Sequence, residues 1–64
     1  MSEESDYAVF VQHEDGALVR AFFSDRKEAE SAAERFANEE GRESFVFDVK
    51  RFMIISTAKP QRTK

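Results

Sequence analysis

Sixty-four residues allow one domain, and 13 acidic against 10 basic side chains give a net charge of −3. There is no cysteine and only one histidine, so disulfides and a His/Cys zinc site are excluded as sources of stability. A chain this short buries only about 60% of its unfolded surface, which leaves oligomerisation as the available support and a well-packed monomer as the alternative.

The first six residues, Met1 to Asp6, are polar and acidic without an apolar core. They are expected to be disordered and not to form a signal peptide. No stretch approaches the roughly 18 apolar residues of a membrane span. With zero cysteine, which fits a reducing compartment, the expected location is the cytoplasm.

Tyr7 to His13 is rich in β-branched and aromatic residues and reads as a strand. Glu14-Asp15-Gly16 is a turn signal, read as a type I turn with Gly16 left-handed, and residues 17–23 form the return strand. A three-residue loop sets His13 opposite Ala17, Val11 opposite Val19, Val9 opposite Ala21 and Tyr7 opposite Phe23. The second face then carries Phe10, Leu18, Arg20 and Phe22.

Asp25, with Glu28 three residues on, resembles a capping box at the start of a helix over 25–40, with Ser24 an equal candidate for the cap. Ala29, Ala32, Ala33, Phe36 and Ala37 recur at helical spacing and form its buried stripe. Glu30, Ser31, Glu34, Arg35 and Asn38 form its wet face, and Gly41 stops it.

Residues 45–56 read as one long strand. Phe45, Phe47 and Val49 are expected under the helix, and Val46 on the opposite face. Lys50-Arg51 interrupts the alternation, but no Gly, Asn or Pro stands there, so a bulge or bend is expected in place of a tight hairpin. Residues 58–64, with Pro60, read as a flexible basic tail.

The fold class is therefore α+β: a small ββαβ domain with a three-stranded, mainly antiparallel sheet in the order 2-1-3. One helix packs on one face, and the long last strand is either bent or dimer-forming.

Motifs with chemistry are scarce. His13 lacks a nucleophile and an orienting acid outside a solvent-facing turn, and reads as a strand-end residue at the hairpin rim. Glu30 and Glu34 lie one helical turn apart, but a metal site needs further ligands from a second element. The two glycines stand alone, which excludes phosphate-cradling loops. No catalytic residue, cofactor or metal is expected.

Val9-Phe10-Val11 and Phe45-Val46-Phe47 resemble the two short motifs of the RNA-recognition motif, whose sheet aromatics stack bases. Here the first strand enters a hairpin where that family has a helix. Arg42-Glu43-Ser44 stands where a basic-glycine-aromatic start belongs, so the chain is read outside that family. Tyr7-Ala8-Val9, Glu14-Asp15-Gly16 and Glu28-Ala29 are similar to the strand, acid-glycine turn and helix of HicB-type antitoxins. That family's third strand before the helix and its Pro-Asp-Leu-Gly-type segment are absent, and membership is not assigned.

What remains is apolar surface: seven phenylalanines against one leucine. Phe10, Leu18, Phe22, Val46, Phe52, Met53, Ile54 and Ile55 are the candidate interface residues. The expected function is a non-catalytic protein-interaction module, a homodimer in a regulatory or accessory role, of which a small phage or mobile-element inhibitor is one form. The dimer would be held by sheet surface and by the second half of the last strand; the competing arrangement folds that half back as a short fourth strand. The alternative function is nucleic-acid binding through Lys50, Arg51, Lys59, Arg62 and Lys64, with Phe52 adjacent for stacking. Residues 1–57 hold 13 acidic and 7 basic side chains, and this negative body opposes that alternative.

Overall fold

The computed structural model describes residues 5–61. The order is β1 (Tyr7–His13), β2 (Gly16–Phe23), α1 (Arg26–Glu40), β3 (Ser44–Asp48) and β4 (Met53–Ala58). Among the described residues the sheet has four strands in the order β2-β1-β3-β4, all neighbours antiparallel, with α1 across one face. The expected 2-1-3 core is present, and a fourth strand extends it beyond β3. Among the described residues no helix is long and apolar enough to cross a membrane.

The helix follows its sequence signals. Asp25 is the N-cap, its carboxylate accepting from the Lys27 N–H at 3.4 Å. Gly41 ends the helix in the left-handed region at φ 66°, where it and Arg42 both donate to the Ala37 carbonyl. Ala29, Ala32, Ala33 and Ala37 are buried. Methyl-sized side chains let the helix lie close to the sheet, where it meets Val9 and Val46, directly paired across β1 and β3.

That close approach decides the register of β3. Val46, expected on the outer face, is fully buried under the helix, whereas Phe45 and Phe47 point to the other side with Phe10 and Ala8, their partners on β1. A helix presenting alanines leaves room beneath it for valine and not for two more rings.

The hairpin departs from the expected register in one half only. Tyr7 pairs with Phe23 and Val9 with Ala21, as expected, but His13 pairs with Gly16 and Val11 with Leu18. The turn closes one residue early, and a bulge at Arg20 absorbs the difference. Because side chains alternate across a strand, the slip moves Val19 onto the free face opposite Phe10 and turns Leu18 and Arg20 toward the helix side.

The long last strand is two strands. Val49–Phe52 form a four-residue loop, contrary to the expectation that no tight hairpin forms there. Two features replace the missing glycine. The Asp48 carboxylate accepts from the Arg51 N–H at 3.0 Å, and Phe52 itself takes the left-handed conformation at φ 59° while its N–H donates to the Asp48 carbonyl at 2.6 Å. β4 therefore pairs within the chain, which removes an unpaired Phe52–Ile55 segment as the reason for a dimer.

Both ends of the domain reach further than expected. The Asp6 carbonyl accepts from Val49 N–H at 3.0 Å, and its carboxylate lies 3.5 Å from Lys50 Nζ. Ala58, expected in the tail, belongs to β4 and packs against the core, while Gln61 N–H donates to Asn38 Oδ1 at 2.8 Å. The remainder of the expected disordered N-terminus, residues 1–4, and of the basic tail, residues 62–64, lies outside the described residues.

The candidate interface on the free sheet face

The sheet face away from α1 is built by register. β1 contributes Ala8, Phe10 and Gln12; β2 contributes Ala17, Val19 and Phe22; β3 contributes Phe45 and Phe47; β4 contributes Ile54 and Thr57. None of these strand positions carries a charge. Phe47 is the centre of an aromatic row, with edge-on contacts to Phe10 (centroids 6.0 Å, 81°) and to Phe52 (5.2 Å, 80°). Phe22 is 59% exposed and Phe52 80%. Toward the opposite end of the strands, where Gln12 pairs with Ala17, lies a hollow of about 300 Å³ lined by Phe10, Gln12, Ala17, Phe45, Phe47 and Ile54.

Of the eight interface residues expected from sequence, Phe10, Phe22, Phe52 and Ile54 meet on this face. Val46 is in the core and Ile55 packs against it. Leu18 is 55% exposed but sits on the helix side, beyond the helix end, and Met53, opposite Asp48, also lies off the free face. Phe45 and Phe47, expected under the helix, belong here instead, and so does Val19, expected opposite Val11 on the other side of the hairpin.

The basic residues do not form one site. Lys50 is 3.5 Å from Asp6, and Arg51 is 4.0 Å from Asp48. Lys59 lies past the opposite end of β4, about 20 Å away along the strand, beside Glu30 and Glu34. Arg62 and Lys64 lie outside the described residues.

His13 has an acidic neighbour that sequence distance concealed. Glu40, at the end of α1, receives Arg20 at 3.1 Å and stands 3.8 Å from His13 Nε2. Arg20 also lies over the Phe36 ring, 5.6 Å from its centroid. This cluster ties the hairpin to the last turn of the helix, with the bulge at Arg20 aiming the guanidinium. On the helix's outer surface, the Arg26 guanidinium is pushed above its ordinary pKa, first by its hydrogen bond to Glu30 and then by that carboxylate's charge.

Comparison with known proteins finds no matching family model, no matching curated protein and no matching solved structure.

Proposed function

We propose that this chain is a non-catalytic protein-interaction module, in a regulatory or accessory role, that acts by laying the free face of its sheet against another protein surface. The observation that supports this reading is the face itself: an uncharged patch with an aromatic row at its centre and two projecting phenylalanines at its margins. Soluble proteins rarely leave more than a few hundred Å² of contiguous apolar surface bare unless it binds something. Aromatic side chains are also the residues on which binding energy concentrates.

The test is photo-crosslinking in cells. A photoreactive side chain at Phe22, on the face, is expected to give protein adducts, and one at Arg35, on the helix's exposed side, is not. Equal labelling at the two positions, or none at Phe22, contradicts the reading.

A further inference from the structure

We propose that the occupant of the free face is a second copy of this chain, packed sheet against sheet about a two-fold axis that crosses the strands. The proposal rests on the reading of that face as a docking surface and names what docks there.

The first argument is what the single chain fails to bury. Its largest fully buried hydrophobic side chains are Val9, Val11 and Val46; none of the seven phenylalanines is among them. One helix covers one face of the sheet, and a second sheet would cover the other, giving a four-layer α/β/β/α assembly.

Area supports the same occupant. At their observed exposures, Phe22, Phe52, Val19, Ile54 and the half-buried rings beside them present on the order of 500 Å² of apolar surface. Two copies would together bury about 1,000 Å², the threshold for a specific interface.

Charge restricts where two copies can meet. Each carries a net −3, concentrated outside the free face, and that face has no charged strand position. It is where like-charged chains approach with least repulsion.

Shape completes the argument. An isologous contact needs both the projection and its receptor on one surface. Phe52 projects at one end of the strands, and the hollow bounded by Phe45, Phe47 and Ile54 extends toward the other. A two-fold axis crossing the strands exchanges those ends, setting Phe52 of each copy over the hollow of the other. The Asp48 turn holds Phe52 in place beforehand, which reduces the ordering cost of docking.

Sedimentation equilibrium at micromolar concentration is expected to give about 15 kDa, twice the 7.4 kDa chain. Phe52→Gly suits the left-handed backbone and removes the projection, so circular dichroism should report a folded chain whose dimer dissociation constant rises by roughly tenfold or more. Val19→Lys, placing a charge within the face, should give a folded monomer. A wild-type monomer at millimolar concentration overturns the proposal, as does a dimer that neither substitution weakens. A monomer that still forms adducts with other proteins through Phe22 removes the second copy and leaves the interaction-module reading standing; a monomer without adducts removes both.

Discussion

Phe52 is the residue at which local and global demands conflict. A left-handed backbone costs a non-glycine residue about 1–2 kcal/mol, and an 80% exposed ring recovers little of that by burial. Phe52→Gly is therefore expected to stabilise the isolated monomer by about 1 kcal/mol, measured by urea melts dilute enough to keep copies apart. A loss of monomer stability would mean that the contact with Phe47 outweighs the backbone strain. Asp48 sets the same turn. Asp48→Ala removes the acceptor for the Arg51 N–H and is expected to cost about 1 kcal/mol, again by urea melts; an unchanged midpoint would show that the Phe52 N–H to Asp48 carbonyl bond holds the loop by itself.

At the scale of the element, the alanine stripe is the device that sorts the sheet's two faces. Ala33→Leu should overpack the contact with Val9 and Val46 and cost roughly 1–3 kcal/mol, whereas Glu34→Ala on the exposed face should stay within about 0.5 kcal/mol. Thermal melts giving equal effects would place the helix in a different rotation. The helix was legible in sequence because its cap, its period and its glycine stop all agree. β1 and β2 were legible as strands, but the position of their turn was not, since Glu14-Asp15-Gly16 accommodates closure at Gly16 or at Ala17. The phase of β3 was the harder failure. Phe45-Val46-Phe47 alternates whichever side is inward, and hydrophobicity alone favours burying the larger rings. The overlooked signal was size: a helix face whose buried residues are all alanine selects Val46 and Ser44 as its neighbours and turns Phe45 and Phe47 to the other side. The β3–β4 loop was illegible because its left-handed position is filled by phenylalanine, where the usual signal is glycine or asparagine. The candidate site was half legible for the same reasons: four expected residues reached it, and Val19, Phe45 and Phe47 entered only through register.

At the scale of the whole molecule, β4 is structural. Removing Ala58–Lys64 deletes the partner of Ser44 and a side chain packed on the core, so the truncation is expected to lower the melting temperature by several degrees; an unchanged melt would show that β4 ends before Ala58. The central claim is that the uncharged sheet face is covered, and by a second copy. A half-filtered nuclear Overhauser experiment on a mixture of isotopically labelled and unlabelled chains tests it most directly. The account predicts intermolecular contacts from the Phe52 ring to Phe45 and Ile54, with the Phe10 and Phe47 rings shielded from a soluble paramagnetic probe. Intramolecular contacts alone, with those rings open to the probe, would contradict it.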